Sequence, residues 1–127
     1  MMFSDLIGRN VLVVEDEYLL AVDIELAMEE HGANVIGPYP DLQGSLGALA
    51  KAAVDFAVLD VRLGPENVFE LADILYNRKV PFVFVTGYDR SRMPKRFARV
   101  PCLSKPVQMD ELMIKIASLT AKQAVRH

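Results

Sequence analysis

The chain lacks most of what would mark it for the cell exterior or a membrane. It has one cysteine, Cys102, in 127 residues, which excludes an intrachain disulfide framework and fits a reducing compartment. No apolar run approaches the ~20 residues of a membrane-spanning helix, and residues 1–10 lack the basic-then-apolar order of a signal peptide. An excess of charge of either sign is also missing. Fourteen Lys and Arg against 17 Asp and Glu leave a net −3, with a pI near 5.3, so nothing marks the surface for general nucleic-acid or membrane binding. Internal repeats, low-complexity tracts and linkers are absent. The two histidines, His31 and His127, fall at a helix end and at the chain end, and neither is assigned a function. The expectation is one cytoplasmic domain over residues 1–127, with a core of about 10–122 and no output segment after Lys122.

What is present is a 52% hydrophobic composition, enough for a sizeable core, laid out as short apolar runs between longer periodic segments. Residues 11–14, 34–37, 56–59, 81–85 and 100–103 read as buried strands. Between them, residues 17–31 carry Leu20, Ile24, Ala27 and Met28 at helical spacing and stop at Gly32. Asp41 is placed to cap a helix running to about residue 53, softened by Gly44 and Gly47. Further helices are expected over 68–77 and 107–122, the last with Asp110 and Glu111 in its first turn. Residues 89–98 are basic, poorly patterned and interrupted by Pro94, so any helix there is short. Pro38 and Pro40 should close the second strand, and Tyr18, Tyr39 and Tyr76 should be partly buried packing residues. Fivefold strand–helix alternation is the pattern of a parallel sheet with helices on both faces.

In such a sheet the carboxyl ends of the strands share one edge, where ligands collect. Strand one ends in Glu15-Asp16, strand three in Asp60, strand four in Thr86-Gly87 and strand five in Ser104-Lys105-Pro106. Taken singly, each has an ordinary reading: Asp60 as a helix cap, Glu15 to Glu17 as acids serving a helix dipole, Thr86 as a β-branched strand residue, Lys105 as a surface cation. Taken together they place three carboxylates, a hydroxyl and an ammonium in one small volume. Two unit charges ~4 Å apart interact by ~4 kcal/mol at an effective dielectric of 20. Lys105 leaves two negative charges uncompensated, which calls for a divalent cation. All-oxygen donors suit magnesium with a phosphate oxygen as co-ligand. The set is suited to phosphoryl transfer, with Asp60 attacking in line, Thr86 donating to a phosphoryl oxygen and Lys105 neutralising charge.

Over essentially its whole length the chain resembles the receiver domain of two-component response regulators, on Glu15-Asp16, Asp60, Thr86 and Lys105-Pro106 in order at strand ends. The resemblance implies a flavodoxin-like (CheY-like) five-stranded parallel α/β sheet of order 2-1-3-4-5 with helices on both faces. It implies a phosphorelay signalling role in which a histidine kinase or histidine phosphotransfer protein phosphorylates Asp60. It further implies Mg2+ held by Glu15, Asp16, Asp60 and the backbone carbonyl of Arg62, one of the acidic pair through water. A cis Lys105–Pro106 bond, intrinsic loss of the phosphoryl group tuned by Arg62 and Tyr88, and possible pairing through the fourth helix, fifth strand and last helix are expected on the same ground. No direct nucleic-acid or membrane partner is expected.

The family's usual strand-five aromatic is replaced by Cys102, three residues before Lys105. Residues 81–88, Pro-Phe-Val-Phe-Val-Thr-Gly-Tyr, resemble instead the subgroup with a Phe-Ala-Thr-Gly-Tyr strand-four motif, Val85 replacing alanine. Members of that subgroup likewise lack the aromatic. The switch is therefore expected in the loop at Gly87 and Tyr88, glycine allowing backbone angles other residues resist, and in residues 89–98. The cations there, Arg90, Arg92, Lys95, Arg96 and Arg99, could meet an acidic partner or form a solvated face. The alternative is a small Mg2+-dependent phosphohydrolase with an aspartyl nucleophile. Arg62 stands where such enzymes place a second aspartate, and the chain has no room for a cap. A receiver working without phosphorylation is a weaker third reading. A signalling module rather than an enzyme is the expected function.

Overall fold

The computed structural model describes residues 6–87 and 90–125. Strands β1 (Asn10–Val14), β2 (Asn34–Tyr39), β3 (Phe56–Asp60), β6 (Phe82–Thr86) and β7 (Cys102–Ser104) form one sheet of order β2-β1-β3-β6-β7. Every pairing in it is parallel. Counting only these strands, this is the expected 2-1-3-4-5 order. A two-residue antiparallel ribbon, β4 (Arg62–Leu63) with β5 (Glu66–Asn67), stands apart from the sheet. The sequence showed its turn residues, Gly64 and Pro65, but two-residue strands carry no periodicity.

The helices are α1 (Tyr18–Glu30), α2 (Leu42–Lys51), α3 (Phe69–Asn77) and α4 (Met109–Val125). Alternation along the central strands sorts the core into two layers. Val11, Val13, Phe56, Val58, Val83 and Val85 pack with Ile24 and Met28 of α1 and Leu112, Met113 and Ile116 of α4. Leu12, Val14, Ala57, Leu59, Phe82 and Phe84 pack with Leu42 and Leu49 of α2 and Leu71 and Leu75 of α3. Met113 and Ile116 thus belong to the core rather than to an exposed pairing face. Asp41 caps α2, its Oδ1 accepting the Gly44 N–H at 2.7 Å. α1 ends as expected before Gly32, which takes φ +87°.

Three expectations are corrected. β2 does not stop at Gly37: it runs through Pro38 to Tyr39. As an edge strand it tolerates a residue without an N–H, and the β1–β2 register shifts between Leu12 and Val14 to absorb the irregularity. Gly37 at φ +101° makes this possible, since a Cβ there would lie 2.9 Å from the Val13 carbonyl oxygen. Tyr18 and Tyr76 are exposed, at 78% and 58%, while Tyr39 is half-buried. Strand five and the last helix start two residues later than their patterns suggest, at Cys102 and Met109.

Among the described residues, the basic segment forms two single 3-10 turns, Arg90–Arg92 and Lys95–Phe97, and no α-helix between β6 and β7. Its far end is nevertheless fixed. Phe97 is buried against Phe82 and Phe84, with ring centroids 6.3 and 5.4 Å away, and against Phe69 at 5.6 Å. Arg96 donates to both carboxylate oxygens of Asp73 on α3, at 2.8 and 3.1 Å.

Candidate functional site

β1 and β3 are neighbours, Val14 opposite Leu59, so the residues just beyond their ends meet. β3 also pairs with β6, Asp60 opposite Val85, and β6 with β7, Thr86 opposite Ser104. The pairing therefore delivers Glu15, Asp60, Thr86 and Lys105 to one edge. The Lys105 N–H donates to the Thr86 carbonyl at 2.9 Å, and the Lys105–Pro106 peptide is cis.

The Lys105 ammonium is the centre of this edge. Nζ donates to Glu15 Oε2 at 3.1 Å, Asp60 Oδ2 at 3.1 Å and Glu17 Oε1 at 2.8 Å. Glu15, Asp60 and Thr86 are almost wholly buried; Asp16 and Glu17 are exposed. Burial pushes the Asp60 carboxyl up to about 8, with the adjacent Glu15 adding to the rise and Lys105 opposing it. Burial alone would lower the Lys105 ammonium, but hydrogen bonds to Glu17, Asp60 and Glu15 hold it above the ordinary lysine range. Two buried carboxylates beside one ammonium thus leave Asp60 short of compensating charge.

The donors present fit a hard divalent cation. One oxygen from each of Glu15, Asp16 and Asp60 lies within 4.8 Å of the others. Glu15 Oε2 already accepts from Lys105 and from the Glu17 N–H at 3.0 Å, while the buried Oε1 has no hydrogen-bond partner. A buried carboxylate oxygen left so is costly, and a cation would satisfy it. Asp16 is steadied from the other side, its Oδ2 accepting the Gly64 N–H at 3.0 Å in the turn of the β4–β5 ribbon. Arg62 is exposed, and its N–H donates to Asp60 Oδ1 at 3.3 Å.

Sequence reasoning missed Glu17, which stood in the acidic triplet but was taken only as the start of a helix. It is the N-cap of α1 yet makes no side-chain cap bond; its carboxylate goes to Lys105 instead. The signal was the triplet itself, whose third member a turn after β1 could direct toward the strand-five lysine. Gly87 is exposed at the end of β6. Tyr88, the other expected switch residue, lies outside the described residues. Cys102 is half-buried in β7 opposite Phe84 and packs on the layer containing Phe84 and Phe97.

Known proteins resemble this chain in both sequence and fold. It is 36% identical to the sensory transduction protein LytT of Bacillus anthracis over 84 residues, 64% of this chain but 34% of LytT, so it spans about a third of that relative's length. It is 31% identical to the phyllosphere-induced regulator PhyR of Methylorubrum extorquens over 93 residues, 71% of this chain and 33% of that protein. The solution structure of SdrG from Sphingomonas melonis Fr1 superposes with a TM-score of 0.74 at 32% identity, covering 89% of this chain and 95% of SdrG. A CheY-like receiver domain protein from Methanospirillum hungatei JF-1 shares the fold, with a TM-score of 0.80 at 18% identity, covering 94% of this chain and 99% of that one. The family model for the response regulator receiver domain matches residues 11–117, a span that takes in every strand end carrying the acidic cluster and Lys105, and the chain belongs to that family.

Proposed function

We propose that the chain accepts a phosphoryl group on Asp60 from a histidine kinase or histidine phosphotransfer protein and passes the change on through protein–protein contacts. The observation that supports this best is the position of Lys105 Nζ, 3.1 Å from both Asp60 Oδ2 and Glu15 Oε2, beside a buried Glu15 oxygen without a partner. Glu15, Asp16, Asp60 and the Arg62 carbonyl would hold Mg2+. When bound, the ion supplies charge neutralisation for Asp60 and the phosphoryl oxygens.

Asp60 must be ionised to act. Burial pushes its carboxyl up to about 8, and Lys105, donating to Oδ2 at 3.1 Å, is the group of this chain that favours the ionised form. A carboxylate oxygen of Asp60 then attacks the phosphorus of the donor phosphohistidine. The P–O bond forms as the P–N bond breaks, and the electron pair leaves with the imidazole, which takes up a proton. Lys105 balances charge on one phosphoryl oxygen. The Thr86 hydroxyl donates to another, and the loop at Gly87 and Tyr88 registers the contact. The domain is not an enzyme in this reading; water later removes the phosphoryl group. It works in the cytoplasm with an unnamed downstream protein.

The test is an amide NMR titration with Mg2+ and then beryllofluoride, a phosphoryl mimic, on wild type and Asp60→Ala. Mg2+-dependent shifts at Glu15, Asp16, Asp60, Thr86 and Lys105 that are lost in the variant are expected. A wild type indifferent to both ligands would overturn the reading.

A further inference from the structure

Among the carboxylates around Lys105, Glu17 differs from the others in kind. Glu15 and Asp60 are buried and belong to the cation-binding set. Glu17 is outside that set, with a side chain 62% exposed, and makes the shortest of the three bonds to the ammonium, 2.8 Å against 3.1 and 3.1 Å. A cation drawing Glu15 and Asp60 to itself leaves Glu17 as the remaining anionic partner of Lys105. A phosphoryl group arriving on Asp60 needs the same ammonium and carries the same sign of charge as Glu17.

We infer that Glu17 is a positioning residue that competes with the phosphoryl group for Lys105, and so sets how tightly the site retains a phosphoryl anion without setting how tightly it binds the cation. This rests on the receiver reading of the site. Three observations carry it. Glu17 leaves the α1 N-terminus without a side-chain cap in order to reach Lys105. Its backbone N–H is fixed to Glu15 Oε2, so its side chain starts from a held position. Its exposure makes the ion pair cheap to break, because solvent screens exposed pairs; the pair works as a removable latch rather than a structural tie.

The test is calorimetric titration of Mg2+, then of beryllofluoride at saturating Mg2+, on wild type, Glu17→Gln and Glu17→Asp, with thermal midpoints recorded for each. Glu17→Gln is expected to tighten beryllofluoride binding by about three- to fivefold, the upper end of the scale of an exposed ion pair. Mg2+ affinity should stay within about threefold and the thermal midpoint should be unchanged. Glu17→Asp, which keeps the charge, should stay closer to wild type. A purely structural role would move both affinities together or neither. If wild type binds both ligands and Glu17→Gln binds beryllofluoride equally or more weakly, the latch is overturned and the receiver reading stands. If wild type binds neither, both fall.

Discussion

Lys105 Nζ donates to Asp60 Oδ2 at 3.1 Å while the Lys105 backbone N–H donates to Thr86 O at 2.9 Å, so one residue joins the ends of β3, β6 and β7. The proposed acceptor, hydroxyl donor and cation are therefore linked before any ligand arrives. The link is incomplete in charge, and the first prediction follows from that.

Burial, with Glu15 beside it, pushes the Asp60 carboxyl from an ordinary 3.8 up to about 8 in the native chain. Between those values the native state holds a proton that the unfolded state has released. Its contribution to stability is thus full below the unfolded value and is lost as pH rises through about 8. Without divalent ions, wild-type stability should fall from pH 5 to pH 8, and Asp60→Asn should lose this dependence. At pH 8 in chelator the variant should be more stable than wild type by ~1–3 kcal/mol, the gap closing toward pH 5. Urea unfolding followed by far-ultraviolet circular dichroism measures both. Added Mg2+ should raise the stability of wild type more than that of the variant.

Phe97 is 1% exposed and touches three other phenylalanine rings. Phe97→Ala should cost ~3–5 kcal/mol, the range for deleting a buried aromatic, whereas Phe97→Leu should cost under ~1.5 kcal/mol. Urea midpoints distinguish these. An alanine variant as stable as wild type would mean that the segment 90–99 is not packed as described.

Gly37 sits at φ +101° with no room for a Cβ beside Val13 O and Tyr39 N, at 2.9 and 2.8 Å. Gly37→Ala should destabilise the domain by ~2 kcal/mol or more, while Gly47→Ala, in open space on α2, should stabilise it by up to ~1 kcal/mol. The opposite signs test the backbone account independently of the site.

The sequence made the strands and the edge readable because both follow from strong, local signals: β-branched runs and the residue directly after each run; the sheet order came only with the receiver resemblance. Val14 and Leu59 are fully buried, so Glu15 and Asp60 are held where their strands stop. What escaped depends on three-dimensional company. Pro38 reads as a stop unless its strand is known to lie at the sheet edge. Tyr18 and Tyr76 are large enough to suggest packing, but each falls on the outer side of its helix. Glu17 could not be told from a dipole-serving acid, because the partner that fixes its role is 88 residues away.

The anchored far end of the basic segment limits what a signal leaving the site can do. Thr86 is rooted in the sheet, and Phe97 and Arg96 are clamped to it and to α3. Residues 90–95 therefore adjoin a fixed anchor rather than a loose end. In the proposed function, a partner protein reading them would meet a backbone that bends against Arg96 and Phe97, as a reed bends against its root.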